Sequence, residues 1–403
     1  MDRDRHTYAV TVATGNIGGR LARGLLEAGH RVRALGRDAS RLQDLVALGA
    51  TPFVGDSADP AFLERAFRGA DAAFLVVKAD QGAPDFRAAF LRVGEQYAAA
   101  ARAAGLANAL FVSSMGAHDP ELDGLIGIHR EVEALLDEVP GLNAVHLRAG
   151  SFFKNLFYFL PAIRAAGALA TPLAPDAPID WAATDDLAQV ALRTLVELPL
   201  RRGQVIEARG AERRSIAELA RVIEAQLGRP FPAVHVARDA DLRGMAAAGL
   251  SPDMAERMHL TWEIMSAVSL RNQAPGATAL LPTSIESFVR ETIVPALTPA
   301  ERRHVRIEYR LRDDVDLDAF KQRVAEFVAG LRAHRADSVY TSYQATDDPR
   351  RFVHVGDFAA DAVPSLQAEP FFRRFSAGMR ELCAAGPEVI QLVAVASTSA
   401  SSR

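Results

Sequence analysis

The sequence predicts an α/β fold, a parallel sheet covered by helices on both faces, followed by a smaller α+β unit. Three observations carry this. Short apolar, β-rich runs alternate with amphipathic helical stretches over the first 150 residues. The run 72–77 is apolar throughout, as a strand buried on both faces must be. After Leu297-Thr-Pro-Ala300 the pattern restarts with strict alternation, Val305, Ile307, Tyr309 and Leu311 on one face and charges on the other.

In order, residues 8–12 form the first strand, and Ile17, Leu21, Leu25 and Leu26 recur at helical spacing up to Gly29. A second strand spans 31–35. Ser40 caps a helix carrying Leu42, Leu45, Val46 and Leu48. The third strand is 51–54, and Pro60 opens a helix through Phe62, Leu63, Ala66 and Phe67. Strand 72–77, an Ala-rich helix over 85–104, a strand at 109–113, a helix at 126–136 and a strand at 144–147 follow. An apolar helix containing Pro161 is expected over 152–166. Further helices are expected at 185–197, 215–227 (capped by Ser215), 252–269 and 284–294, with a strand at 204–208. The second unit continues with a helix bearing Leu317, Phe320, Val324, Phe327 and Leu331. Strands 339–343 and 352–358 flank the turn Asp347-Asp-Pro-Arg350, and a helix over 369–384 and a strand over 389–395 complete it. That β-α-β-β-α-β order is the ferredoxin-like pattern. The expected division is a domain at 1–299, with 150–299 as its substrate-cleft segment, a domain at 300–397, and a frayed tail at 398–403.

Composition narrows the function classes. A chain of 403 residues, 49% hydrophobic and 24% charged, is a folded protein of two or three domains. A net charge of -4 gives no sign of a nucleic-acid binder. The single cysteine, Cys383, excludes an intrachain disulfide and reads as a small buried apolar residue near a helix end. No metal is expected, because the histidines form no H-x-x-x-H pair. The charged start lacks a secretory h-region and no run of about 18 apolar residues exists, so a cytoplasmic protein without a membrane span is expected.

The strongest motif is Val10-Thr-Val-Ala-Thr-Gly15-Asn-Ile-Gly18-Gly19, placed after a strand and opening a helix. That context makes the turn a dinucleotide cradle. Gly15 lets the backbone approach a pyrophosphate and Gly18 lets helix and strand pack closely. The helix start, Thr14 to Gly18 with Asn16 and Ile17, offers free N–H groups to the phosphates. The first glycine of G-x-x-G-x-x-G falls on Val12, a stiff β-branched residue, so a packing turn without ligand is the second reading. The second strand ends Leu35-Gly36-Arg37-Asp38 with no carboxylate at its tip. Arg37 suits a 2′-phosphate and favours NADP(H), against a solvated arginine. Asp56, after the third strand, is either an adenine contact or a loop aspartate. Val76, Val77 and Lys78 end the fourth strand, where the nicotinamide half is expected to pass.

With these residues, the first ~290 positions resemble the NmrA-like branch of atypical short-chain dehydrogenases/reductases. The carriers are VTVATGNIGGRLARGLLEAGHRVRALGRD, ALFVSSMGAH, GIHREVEALL, GLNAVHLRAGSFFKN and PTSIESFVRE. The resemblance implies a Rossmann-like, doubly wound fold, an NADP(H) preference and a substrate cleft between the strands' C-terminal ends and segment 150–299. It also implies either quinone and enone reduction or cofactor sensing without turnover. Residues 304–396 resemble the antibiotic-biosynthesis-monooxygenase type of dimeric α+β barrel, through RIEYRLRDDVDLDAFKQRVAEFVAGLR, DDPRRFVHVGDF and EPFFRRF. That resemblance implies pairing through the sheets, and in some members cofactor-free oxidation of phenols.

The Tyr-x-x-x-Lys pair of short-chain dehydrogenases is absent: none of the six tyrosines has a lysine four positions on. Ser113 is a candidate to bond a substrate carbonyl, or is a strand-end turn serine, as is Ser114. His129 is a candidate proton donor, or a satisfied structural histidine. Lys154 would orient a phosphate or acidic substrate, or snorkel at the surface. Tyr343 and His354 are candidates to face the second domain's interior, and Phe352, Phe358, Phe371, Phe372 and Phe375 read as core. The expected function is NADPH-dependent hydride transfer to a quinone-like, enone or aromatic small molecule. The alternatives are an NADP(H) sensor and a cofactor-independent oxygenase acting through the second domain. A homodimer through that domain is expected, since one four-stranded sheet leaves an apolar face to cover.

Overall fold

A computed structural model describes residues 5–268, 277–298, 302–334, 338–359 and 363–392. The chain divides into two compact units, Met1–Val294 and Pro295–Arg403.

The first unit is built on eight strands: β1 (Thr7–Val10), β2 (Arg31–Gly36), β3 (Thr51–Val54), β4 (Ala72–Leu75), β5 (Asn108–Ser114), β6 (Asn143–Ala149), β7 (Gln204–Gly210) and β8 (Ala277–Leu281). All pair in parallel, in the order β8-β7-β6-β5-β4-β1-β2-β3. The order reverses between β1 and β4, where an open parallel sheet leaves a crevice at its carboxyl ends. The helices are α1 (Asn16–Glu27), α2 (Gln43–Ala47), α3 (Pro60–Phe67), α4 (Phe86–Ala104), α5 (Gly124–Asp137), α6 (Leu160–Ala166), α7 (Thr184–Leu195), α8 (Ile216–Leu227), α9 (Arg238–Ala247) and α10 (Pro252–Val268). Tyr8, Phe74, Phe111 and Leu147 of the central strands are fully buried, which is why those strands read as apolar runs. The apolar stripe Ile17, Leu21, Leu25 seats α1 on that sheet.

Several expectations are corrected. Ser40 does not cap α2; it lies in a 3-10 turn, Ser40–Leu42, and Oδ1 of Asp38 accepts its N–H at 2.8 Å and its hydroxyl at 2.7 Å. Those two bonds hold the Asp38 carboxyl below the usual range. Segment 152–166 is not one helix. Gly150 sits so close to the Asp180 carbonyl that only glycine fits, a short strand Ser151–Phe152 follows, 3-10 turns span Phe153–Phe159, and α6 begins only at Leu160. The short strands Ile179–Ala182 and Arg213–Arg214, which join it in a small sheet, were too short to show a period. The helix expected over 284–294 contains a π-helical stretch, Val289–Ile293. No helix among the described residues is long and apolar enough to cross a membrane.

The second unit has β9 (Arg302–Arg310), α11 (Leu317–His334), β10 (Val339–Gln344), β11 (Arg351–Ala359), α12 (Pro370–Leu382) and β12 (Glu388–Leu392). Its antiparallel sheet runs β10-β11-β9-β12. Tyr309, Phe320, Val324 and Phe352 form one cluster with Cys383, and Phe327 and Phe358 anchor another. Ser342 pairs with His354, so Tyr343 and His354 lie on opposite faces. His354 is buried among the helices and Tyr343 is exposed on the other face, against the expectation that both face inward. The expected end of the last strand and the tail lie outside the described residues.

Candidate active site

The glycine turn is kept without its first glycine. Val12 itself takes the left-handed conformation, φ 48°, where a β-branched residue is rare. Its carbonyl accepts the Gly15 N–H at 2.8 Å. A Cβ on Gly15 would stand 2.9 Å from Val12 Cγ1, so this position tolerates only glycine. Helix α1 then starts with no side-chain cap and no acidic residue in its first turn. The amides of Asn16, Ile17 and Gly18 have no acceptor among the described residues. Three such N–H groups at the positive end of a helix form a cradle for an anion. Ile17 is buried and offers only its backbone, while Asn16 is exposed and accepts a hydrogen bond from Lys154 Nζ at 2.9 Å. Lys154 thus stands beside the start of α1.

At the reversal point, Thr11 ties the two halves of the sheet. Its hydroxyl donates to Phe74 O at 3.0 Å and accepts the Val76 N–H at 2.9 Å, and Tyr97 Oη donates to Val76 O at 2.9 Å. Val76 and Val77 therefore leave β4 as irregular chain, two residues earlier than the apolar run suggests. Farther out, the Gly55 N–H bonds Gly36 O, which brings the ends of β2 and β3 together. Arg37 is exposed there with no partner among the described residues. Asp56 is exposed beside it and closes its own loop through the Ala58 N–H, at 2.9 Å.

Next to this crevice, the carboxyl ends of β4 to β7 border a cleft of about 340 Å³. Phe86, Phe90, Phe152, Met254, Met258 and Trp262 are part of its wall. Val77, Ser113 and His129 reach it; Lys78 is exposed and does not line it. The Ser113 hydroxyl is buried with no hydrogen-bond partner among the described residues. His129 Nδ1 lies 2.7 Å from Leu125 O, to which it can only donate, and its ring packs 4.9 Å from that of Phe90. Burial pushes its pKa down, so at neutral pH the ring is uncharged and Nε2 is an acceptor.

Beneath the cleft runs a charged row that the sequence reading missed. Ser113, Arg148 and Glu207 are direct neighbours across β5, β6 and β7. Arg148 binds Glu133 of α5 with two bonds, 2.9 and 2.5 Å, and Glu207 Oε2 pairs with Arg209. The available signal was an arginine and a glutamate inside strands that should be all apolar. Among the described residues no group of side chains could hold a metal ion.

The NmrA-like family pattern matches residues 4–273. A (4-alkanoyl-5-oxo-2,5-dihydrofuran-3-yl)methyl phosphate reductase of Streptomyces griseus is 33% identical over 251 residues, 61% of this chain and 83% of the relative. An NAD(P)H azoreductase of Xenophilus azovorans is 28% identical over 250 residues, 62% and 84% of the two chains. Among solved structures, the NADPH complex of an Escherichia coli NADPH-dependent quinone oxidoreductase superposes with TM-score 0.60 at 22% identity, over 71% of this chain and 99% of that one. The family pattern covers the turn, the crevice and all of the cleft wall, and the chain belongs to the NmrA-like family.

Proposed function

We propose that the first unit is an NADPH-dependent oxidoreductase that transfers a hydride to a conjugated carbonyl, a quinone or enone, held in the cleft. One juxtaposition carries this reading: an anion cradle at α1 and an apolar cleft with an unpartnered hydroxyl, at neighbouring strand ends of one sheet. The names of the azoreductase and the quinone oxidoreductase support it.

The residues present fit NADP(H). The amides of Asn16, Ile17 and Gly18, with Thr14, Gly15 and Lys154 beside them, hold the diphosphate. Arg37 pairs with the 2′-phosphate, Asp56 borders the adenine, and Val76 and Val77 flank the nicotinamide path. When bound, NADPH supplies the hydride. The apolar wall excludes water and aligns a flat ring, and Ser113 donates a hydrogen bond to its carbonyl oxygen. His129 Nε2 accepts a hydrogen bond from the bound pair. A hydroquinone anion takes its proton from solvent, so the missing Tyr-x-x-x-Lys pair is no obstacle. Lys78 has no part in this reading.

Full-length protein is expected to oxidise NADPH with 1,4-naphthoquinone, and NADH at least about tenfold more slowly, the equivalent of ~1.4 kcal/mol. Absence of turnover across a quinone and enone panel would refute it, and tight NADPH binding in that case favours the sensor.

We read the second unit as a ferredoxin-like, monooxygenase-like module that pairs with a second copy. Val339, Tyr343, Val355 and Leu392 are exposed on the sheet face away from the helices, which supports pairing there. Light scattering of the full chain is expected to give a dimer; a monomer contradicts it.

A further inference from the structure

Four polar atoms on residues of the cleft wall lack a protein partner, and the hydride-transfer reading uses only that of Ser113. Ser113 Oγ, His118 Nδ1, Glu207 Oε1 and Trp262 Nε1 are out of solvent and lack a hydrogen-bond partner among the described residues. Each such atom costs about 1–3 kcal/mol when nothing bonds it. Four of them lining one cleft mark the places where a ligand's own polar groups go.

Two of the four have fixed character. The Trp262 indole N–H only donates. Glu207, with no exposed surface, gives Oε2 to the Arg209 guanidinium and leaves Oε1 as an acceptor. Arg148, its neighbour across the sheet, spends its Nε and Nη2 hydrogens on Glu133 instead. The ligand that satisfies this wall therefore carries a donor for Glu207 and an acceptor for Trp262, on a flat apolar body that fits Phe86, Phe90 and the two methionines.

We propose that Glu207 is the specificity-determining residue of the cleft. It selects a quinone or enone that also bears a neutral hydrogen-bond donor, a hydroxyl or amine, and it turns away substituents that are anionic. Trp262 bonds a carbonyl of the same molecule. The proposal rests on the reading that this cleft holds the substrate.

The test uses two neutral quinones of matched shape, 2-hydroxymethyl- and 2-methoxymethyl-1,4-naphthoquinone, with full-length protein. The unaltered chain is expected to prefer the hydroxymethyl compound in kcat/KM by about tenfold or more, because a buried acceptor left unpaired penalises the other. Glu207→Gln places an amide donor at the same point, and the preference is expected to vanish while NADPH affinity holds. Trp262→Phe keeps the ring and lowers kcat/KM for both compounds alike. Equal kcat/KM in the unaltered chain, or a preference that survives Glu207→Gln, overturns the proposal. If neither quinone oxidises NADPH, the oxidoreductase reading has failed instead. Thermal shift with each quinone alone then decides the binding claim: a larger shift for the hydroxymethyl compound supports it and equal shifts overturn it.

Discussion

The carbonyl oxygen of Val12 stands 2.6 Å from the point where a Cβ on Gly18 would lie. The turn that follows strand β1 and helix α1 are thus in contact through a peptide group, and the missing first glycine is made good by a left-handed conformation at Val12. Gly18→Ala is expected to push α1 off β1 and weaken NADPH binding by at least about tenfold, ~1.4 kcal/mol, read by nicotinamide fluorescence. Val12→Gly relieves a left-handed conformation worth about 1–3 kcal/mol against a glycine entropy cost of about 0.5–1 kcal/mol. Urea melts should show a stabilisation near 1 kcal/mol; a loss of stability would count against strain at this residue.

Arg37 is exposed and uncommitted among the described residues, while Asp38 beside it is tied to Ser40. Arg37→Ala should weaken NADPH by about tenfold or more, the size of a charge-assisted phosphate contact of ~1.5–3 kcal/mol. NADH affinity should not change. Parallel losses for both cofactors would show that Arg37 does not read the 2′-phosphate.

Glu133 neutralises Arg148 in the interior. Glu133→Ala leaves that guanidinium without its partner and is expected to cost about 3–5 kcal/mol in a urea melt. Trp181 and Trp262 both belong to the first unit, so their fluorescence follows it. A cost below ~1 kcal/mol would mean that Glu207 takes over the charge.

In the second unit, His354 is buried between two phenols, Tyr309 at Nε2 and Tyr340 at Nδ1, the latter at 2.6 Å. Burial pushes its pKa from about 6.5 down to about 4. Between those values the unfolded chain takes up a proton that the folded chain refuses, so stability falls as pH drops through that window. About two and a half pKa units at 1.36 kcal/mol each give a loss of roughly 3 kcal/mol by pH 4. Hydrogen exchange of the β11 amides between pH 7 and pH 4.5, corrected for intrinsic rate, should show this loss, and a flat profile would contradict it.

Much of this was legible because it rests on local rules. Gly15, Gly18 and the leucine stripe of α1 announced the turn and its helix, and Ser215 with Glu218 forms the capping box that starts α8. Alternation from Val305 to Leu311 announced β9. What escaped depends on partners distant in sequence. The left-handed Val12 is imposed by the packing of α1 on β1, which composition does not reveal. Arg148 and Glu207 are side by side only because the sheet sets their two strands next to each other, which periodicity does not reveal. The faces of Tyr343 and His354 depend on the register of one hairpin, and a one-residue slip would have put both on the same face. Lys78 follows the fourth strand in sequence, but it is exposed and does not line the cleft.

The most direct measurement is a titration of the full chain with NADPH followed, in the same anaerobic cuvette, by addition of 1,4-naphthoquinone. The account predicts saturable nicotinamide fluorescence at micromolar cofactor, about -8 kcal/mol of binding, and then loss of one NADPH per quinone reduced. No saturation at millimolar NADPH would show that the turn at Val12 does not hold the cofactor, and the oxidoreductase account would be wrong.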